Sequence, residues 1–358
     1  MIIQIEALDT LFFRDGKPFT MGDETWANGI FPPPPSVFYG ALRSAYFSQH
    51  PEELHLANKE GDPTKDLVIK GIYVTEDGRP YFPMPLDLVQ KKYKTEDDLE
   101  DEDWDNYIRV ELLKQNNRKA FFSSSSETNI NLLELDKEIE SLDDLSFLKN
   151  DMFRQYQKGH CTRLKATPVN KLIHKENKIG IQRSRVTNTT VDGMLYRVAM
   201  NRLGDIKFAI DYEGLELAPK GLLKLGGEAK VVTYYAVEEA SNFEIKSNEN
   251  FVEESSVKIV LLTPAVFKKG WLPSFIDGVN VKLIAACVGK PISIGGFDMQ
   301  KKEPKYMRKA VPAGSIYSVE VINKEIFNNC FSSHSINDAF DDIDYDNQGF
   351  GIYTLAQS

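Results

Sequence analysis

A glycine pair, an aromatic residue and a basic run follow one another near the C-terminus of the chain. The core of this segment consists of Ile294, Gly295, Gly296, Phe297 and Met299. Adjacent glycines permit a sharp backbone turn or the close approach of a ligand, and N–H groups beside them are suited to phosphate oxygens. The segment continues with basic side chains, namely Lys301, Lys302, Lys305, Arg308 and Lys309.

Two interpretations of this segment are open from residue types alone. A glycine-rich loop with a stacking aromatic and a basic run is typical of contact with a nucleic-acid backbone. The same residues also fit a hairpin loop with a solvated, charged tip, because glycine pairs are common in turns.

A second basic stretch covers residues 158–185, with eight basic side chains and a single acid, Glu176. It ends in a polar turn whose side chains are suited to contacts with sugar and phosphate groups. The turn contains Gln182, Arg183, Arg185, Thr187 and Asn188. A β-hairpin with a basic tip explains the same pattern without a ligand.

The net charge of −10 argues against nucleic-acid binding only as an average. Eight acids are concentrated in residues 95–105, whereas the two basic stretches are elsewhere. Local charge decides where a polyanion binds, so the two basic stretches are candidate binding surfaces.

Composition places the chain among soluble globular proteins. Its 358 residues suffice for two domains, and the hydrophobic fraction of 42% and charged fraction of 27% are ordinary. The three cysteines are too scattered for a disulfide framework or a metal site. There is no apolar run of membrane-spanning length and no signal-peptide pattern at the N-terminus, so we expect a cytoplasmic protein.

The N-terminal region predicts a strand, a loop and a helix. Alternating apolar residues indicate a half-buried first strand, and the Asp15-Gly16 turn places Arg14, Lys17 and Phe19 around a loop tip. A proline run with Ser36 as predicted N-cap precedes a helix over residues 37–48. Arg43 points away from the apolar face of that helix, where it could bind phosphate or be solvated.

Farther along, the apolar stripe over residues 131–156 predicts one or two helices, and the prolines in residues 81–85 favour an edge strand or loop. Residues 194–201 and 205–213 are predicted to form a strand pair. Many strands with few helices indicate two α+β halves.

Five motifs, in order, resemble those of the third RAMP subunit of Cmr, the type III-B CRISPR effector. They lie at residues 12–19, at 31–36 with 40–43, at 193–196, at 262–273 and at 309–317. The resemblance implies an α+β protein with tandem ferredoxin-like (RRM-like) RAMP domains, insertions and a glycine-rich loop. The domains would be residues 1–214, with a helical and acidic insertion, and residues 215–358.

The resemblance also implies a function. In that family the subunit holds the 5′ tag of the CRISPR RNA and docks the large polymerase/cyclase subunit beside backbone RAMP subunits, with target RNA contacted indirectly. Motif position and chemistry together predict the following RNA-binding residues: Arg14, Lys17, Phe19, Arg43, Gln182, Arg183, Arg185, Thr187, Asn188, Ile294, Gly295, Gly296, Phe297, Met299, Arg308 and Lys309.

The competing class is an enzyme. RAMP folds also include endoribonucleases that process CRISPR repeat RNA, and His50 and His55 follow the first helix, as a general acid or base would in some of them. A metabolic enzyme is less favoured because Gly295-Gly296 lacks the strand–loop–helix signature of a nucleotide site. We predict a non-catalytic protein without cofactor or metal, in which an acidic face and the loop around Trp271 contact protein partners.

Overall fold

The structure is a computed structural model that describes residues 1–14, 26–27, 29–91, 108–116, 131–134, 139–140, 145–161, 164–237, 243, 256–298, 303–331 and 333–357. Three predicted RNA-binding residues, Lys17, Phe19 and Met299, lie outside these ranges, as does the acidic run at 95–105.

Among the described residues, the first part of the chain is mostly strands, with three α-helices and one 3₁₀ helix. Its elements are β1 (Ile2–Ala7), β2 (Trp26–Ala27), α1 (Pro35–Gln49), a 3₁₀ helix (Pro51–Leu56), β3 (Val68–Glu76), β4 (Arg79–Pro83), β5 (Leu88–Lys91), β6 (Ile108–Leu112), β7 (Lys114–Asn116), β8 (Leu132–Glu134), β9 (Ile139–Glu140), β10 (Ser146–Lys149), α2 (Asn150–Gln157), β11 (Leu164–Pro168) and α3 (Val169–Leu172).

The second part continues in the same manner. Its elements are β12 (Ile173–Arg183), β13 (Thr190–Leu203), β14 (Ile206–Glu213), β15 (Lys220–Lys224), β16 (Val231–Ala236), β17 (Ser256–Leu261), β18 (Val281–Cys287), β19 (Ile292–Ile294), β20 (Phe297–Asp298), β21 (Glu303–Pro304), β22 (Arg308–Ala310), β23 (Ile316–Val321), α4 (Lys324–Cys330) and β24 (Tyr353–Gln357). The prediction of a mixed α+β protein is confirmed.

The larger sheet has eleven strands in the order β15-β16-β1-β14-β3-β4-β10-β11-β6-β5-β9. Its β1 lies between β14 and β16, so that Ile3 is paired with Ile210 on one side and with Ala236 on the other. The side-by-side strands β16, β1, β14 and β3 are therefore the fourth, first, third and second of this group in chain order.

The smaller sheet has four strands in the order β18-β23-β17-β24, and all three neighbouring pairs are antiparallel. In chain order these are the second, third, first and fourth strands. Read from the opposite edge, this order is the same as that of β16, β1, β14 and β3 in the larger sheet. The division at residue 214 stays a prediction; across it, β15 and β16 pair into the larger sheet beside β1.

Helix α1 covers one face of the larger sheet. Phe38, Ala41, Leu42 and Ala45 recur at helical spacing and are buried against Ile3 and other sheet residues. The helix begins at Pro35 with Pro34 as its N-cap, so the prediction that Ser36 caps it is wrong. Proline at the first helical position loses nothing, since an N–H there has no partner within the helix.

The opposite face of the larger sheet packs against the smaller sheet and α2. Ile2 of β1, Phe153 and Tyr156 of α2, and Val260 and Ala356 of the smaller sheet belong to one buried cluster. Strand β1 is therefore buried on both faces, rather than on one as its alternating pattern predicts, because it lies in the centre of a sheet covered on each side.

The region predicted to form one or two helices, residues 131–156, is only partly helical among the described residues. These residues form β8, β9 and β10, and only the last part, from Asn150 onward, is helical, as α2. Phe147 packs into the core beneath α1, whereas Leu148 packs into the core between the sheets. A short apolar run that is buried on both faces cannot be distinguished from a helix by periodicity alone.

Two strand assignments also change. Strand β4 is interior, between β3 and β10, although it contains Pro80 and Pro83. Each proline is near a strand end, where Pro80 pairs only with β3 and Pro83 only with β10. The strands β13 and β14 occur as predicted, but they belong to different sheets and are not a pair.

Candidate nucleic-acid interface

The glycine pair lies in the middle of a β-arm, residues 292–310. Its root is the β19–β22 ladder, with Ile294 opposite Arg308, and its outer part is the β20–β21 ladder, with Phe297 opposite Pro304. Between the ladders, the two glycines 295–296 face the three residues 305–307. The extra residue makes a bulge, where backbone groups are released from the regular ladder.

The fold does not require a glycine at position 296. Its φ lies outside the left-handed region, and an added Cβ would make only an ordinary contact of 3.4 Å with Cδ of Lys305. Gly296 is exposed, and its carbonyl accepts a hydrogen bond of 2.9 Å from the Lys305 N–H. The missing side chain thus leaves a flat, open backbone surface rather than relieving strain within the protein.

A small core holds the root of the arm. Ile294 and Ala310 pack with Val266, Tyr345 and Phe350, and a β-bridge joins Ala265 to Val311. The neighbouring loop, residues 264–275, contains isolated bridges only, as the sequence predicts, and Trp271 is partly exposed in it.

Arg308 is fixed by its neighbours. Its guanidinium donates hydrogen bonds to Asp342 at 2.7 Å and to the Tyr345 hydroxyl at 3.0 Å, and lies 4.5 Å from the centre of the Phe340 ring. The hydrogen bond to Asp342 raises the pKa of Arg308. Lys309 is exposed and donates to the Ser293 hydroxyl at 2.7 Å. Arg308 therefore anchors the arm, whereas Lys309 presents charge to solvent.

Sequence reasoning missed the residues opposite the glycine pair. Tyr306 is 80% exposed and Met307 is 46% exposed, beside the exposed Lys305. In the sequence, these residues are marked only by their distance of about ten positions from the glycines. That distance indicates a contact only when the register of the arm is known.

A long hairpin, β12–β13, carries the second group of predicted residues. Exposed side chains occur at consecutive positions of β12, from His174 to Ile179, so both faces of this strand are open to solvent. The hairpin turns at residues 184–189, where Arg185, Thr187 and Asn188 are exposed and Val186 is 92% exposed, and Arg183 at the end of β12 is exposed as well. It presents a basic tip, as one of the two predictions for this stretch states.

Local hydrogen bonds order this tip. The Ser184 hydroxyl accepts from the N–H groups of Val186 and Thr187, at 3.3 and 3.2 Å. Asn188 adopts a left-handed φ of 57°, which asparagine tolerates, and its carbonyl accepts from the Arg183 guanidinium at 3.2 and 3.3 Å. The tip is therefore a hydrogen-bonded turn of defined geometry.

The remaining predicted residues are divided among other places. Arg14 is exposed in a β-bridge with Gly29, and Gln182 and Phe297 lie in β12 and β20. Arg43 donates to Asp62, Thr64 and Asn58 at 2.6, 2.7 and 2.9 Å, which accounts for its charge within the fold. The β-arm and the long hairpin belong to separate sheets.

The two histidines of the enzyme alternative follow the C-terminal end of α1, His50 as its C-cap and His55 in the 3₁₀ helix. His50 lies 3.7 Å from a Glu52 carboxylate oxygen and its ring is 4.5 Å from that of Tyr46, while His55 Nδ1 is 2.7 Å from the Glu52 carbonyl. His50 also lines a cleft of about 850 Å³ together with Glu213 and Glu216.

The described ranges contain neither a cluster of metal-ligating side chains nor a membrane-spanning helix. Within them, no three or more His, Cys, Asp or Glu side chains are grouped closely enough to hold a metal ion. In the same ranges, none of the helices combines the length and apolar character needed to cross a membrane.

Comparisons with known proteins identify a family. The family model described as "CRISPR-associated protein (Cas_Cmr3)" matches residues 3–350. No curated protein matches the sequence.

Solved structures share the fold. A chain of the type III-B Cmr-beta complex, solved by cryo-electron microscopy with cognate target RNA and AMPPnP, aligns with a TM-score of 0.55 and 15% identity over 100% of this chain and 99% of that chain. A chain of Cmr-beta bound to cognate target RNA aligns with a TM-score of 0.53 and 16% identity over 89% of this chain and 86% of that one.

Proposed function

This chain belongs to the family of CRISPR-associated proteins described as Cas_Cmr3, and we propose that it is a non-catalytic, RNA-binding subunit of a type III-B CRISPR antiviral effector. It holds the 5′ tag of the CRISPR RNA and docks the large polymerase/cyclase subunit. The two Cmr-beta chains described above come from complexes solved with target RNA, which supports this proposal.

The tip of the β12–β13 hairpin is the observation that carries the proposal. It combines two exposed arginines, exposed hydroxyl and amide groups and an internally ordered turn on an arm that projects into solvent. Arginine and hydroxyl side chains that are held in place beforehand are suited to sugar and phosphate groups, with little ordering cost on binding.

We also propose that the two halves are tandem ferredoxin-like domains. The supporting observation is that each sheet contains four antiparallel strands with the same relation between chain order and spatial order. The backbone RAMP subunits are the proposed neighbours, the cytoplasm is the proposed location, and the loop around Trp271 is proposed to contact a protein partner.

The test is co-expression with neighbouring genes, capture through this chain and sequencing of the bound RNA. The proposal expects guide RNAs that carry a repeat-derived 5′ tag, together with RAMP subunits and a large polymerase-like subunit. Capture of the protein partners without guide RNA would refute the RNA-binding role.

The endoribonuclease alternative predicts a different result in the same preparation. The chain alone would then cleave repeat RNA without added metal, and His50→Ala would abolish the cleavage. Under the proposed function, wild type and His50→Ala both leave the repeat RNA intact and recover equal amounts of guide RNA.

A further inference from the structure

We infer that Tyr306 is a stacking residue of the β-arm, which packs its ring on an unpaired RNA base while the sugar–phosphate backbone passes the exposed backbone at Gly296. This inference rests on the proposed RNA-binding function and deepens it, since it assigns the aromatic contact to a residue outside the predicted set.

The position of Tyr306 supports this role. It is the central residue of the bulge 305–307, directly across the arm from the two glycines, and its side chain is 80% exposed. The arm is ordered at its root by the buried Ile294 and by the Arg308 contacts, so the ring is presented on a fixed support. An exposed aromatic ring beside bare backbone offers a base a stacking plane and its phosphate a close approach.

The exposed lysines around this position are suited to a polyanion. Lys305 and Lys309 are exposed on either side of Tyr306 in the sequence, and Lys290 is exposed at the root of the arm. Arg308 is matched by Asp342, and the outer ladder pairs Asp298 with the exposed Glu303, so the cationic surface of the described residues is confined to the bulge and the root of the arm. A single strand is the suitable occupant, because a duplex keeps its bases stacked inside and presents only its backbone.

The experiment compares full-length Tyr306→Ala and Tyr306→Phe with wild type in binding a short single-stranded RNA that contains 2-aminopurine. Leu222→Ala is the matched control, since Leu222 is an exposed side chain on β15, in the larger sheet. The binding measurement is repeated in the captured complex, where the guide RNA recovered per protein is the readout.

Stacking on one base corresponds to about a five- to 150-fold change in affinity. We therefore expect Tyr306→Ala to bind more weakly by that factor and to lose the quenching of 2-aminopurine. Tyr306→Phe and Leu222→Ala should behave as wild type. The salt dependence should be unchanged in Tyr306→Ala, because no phosphate contact has been removed.

Three results would overturn the inference. If Tyr306→Ala binds RNA normally while Arg183→Ala with Arg185→Ala is impaired, the stacking role is wrong and the proposed function stands. If Tyr306→Ala retains RNA but loses a subunit of the complex, the residue is a protein contact. If wild type binds no RNA either alone or in the complex, the proposed function and this inference fail together.

Discussion

The Asp87 carboxylate is buried between the two sheets, where it is 1% exposed. It accepts a hydrogen bond of 2.9 Å from the Tyr156 hydroxyl of α2 and lies 3.1 Å from Nζ of Lys258 on β17. Burial raises the pKa of Asp87, and the charge and hydrogen bond of Lys258 offset that effect only in part. The three side chains thus join the loop after β4, α2 and the smaller sheet at one point.

Replacing Lys258 with methionine leaves Asp87 without its cation. We expect Lys258→Met to lower the free energy of unfolding by about 3–5 kcal/mol, the usual effect of breaking a buried ion pair. Denaturant unfolding measures this change, and the double variant Asp87→Asn with Lys258→Met should recover part of it. Lys282→Met is the matched control, because its pair with Glu320 is exposed and contributes about 0–1 kcal/mol.

Asp277 provides a pH-dependent contribution to stability. Burial alone would raise its pKa, but hydrogen bonds from the Asn280 side chain and from the N–H groups of Asn280, Val279 and Val281 outweigh burial and lower the pKa to about 2. The folded state therefore favours the ionised form. The resulting stabilisation is complete well above the ordinary aspartate pKa of 3.8 and is lost as the pH falls toward 2.

Thermal melting of wild type and Asp277→Asn between pH 7 and pH 3 tests this account. The melting temperature of wild type should exceed that of Asp277→Asn by a constant amount at neutral pH, and the difference should shrink below about pH 4. A difference that is independent of pH would show that the carboxylate charge is not responsible.

Within the secondary-structure elements, two glycines have different roles: the fold requires a glycine at position 226, whereas Gly296 is free to serve ligand binding. Gly226 has a φ of 77° and a Cβ there would lie 2.4 Å from the Phe12 carbonyl oxygen, whereas Gly296 meets neither restriction. Gly226→Ala should destabilise the fold by about 1–2 kcal/mol or more. Gly296→Ala should leave stability unchanged or raise it by about 0.4–1 kcal/mol, yet weaken RNA binding.

Melting curves and RNA titration on the same two variants check this prediction. A Gly296→Ala protein that folds and binds RNA as wild type does would remove the glycine surface from the interface.

The hairpin tip is tested by the salt dependence of RNA binding. Each phosphate contact to single-stranded RNA contributes about 0.7 to the slope of log K against log salt. If Arg183 and Arg185 each contact one phosphate, the double alanine variant should reduce the slope by about 1.4 and weaken binding most at low salt. Lys220→Ala with Lys224→Ala, two exposed lysines of β15, is the matched control and should keep the wild-type slope.

Local patterns in the sequence predicted elements well where the information is local. The stripe of Phe38, Ala41, Leu42 and Ala45 marks α1, and the glycine pair marks an arm that the structure contains. Arg43 was assigned to the interface from its motif position and charge, and this assignment stays a prediction. Its partners Asp62 and Thr64 could not be foreseen, because they come after a 3₁₀ helix that the sequence did not indicate. Tyr306 was missed because only the register of the arm places it opposite the glycines.

At the scale of the whole molecule, the decisive contacts join distant parts of the chain. Ile3 is paired with Ile210 and Ala236, and Ile2 shares a core with Val260 and Ala356. Periodicity within a segment carries no information about such partners, so β13 and β14 were wrongly paired with each other. The family resemblance predicted the order of the motifs along the chain. Which sheet each motif belongs to is known only from the structure.

The two sheets pack face to face and share a core with α2. The β-arm and the long hairpin form sheets of their own, distinct from these two and from each other. We therefore predict two separate lines of RNA contact on one subunit, rather than a single continuous basic patch. This prediction can be tested without assuming any particular residue.

Ultraviolet crosslinking of the RNA-bound complex, followed by mass spectrometry of this chain, would locate the RNA contacts of this subunit. We expect RNA adducts on peptides that contain residues 183–190 and 303–310. Adducts confined to other surfaces, such as the cleft beside His50, would contradict this expectation.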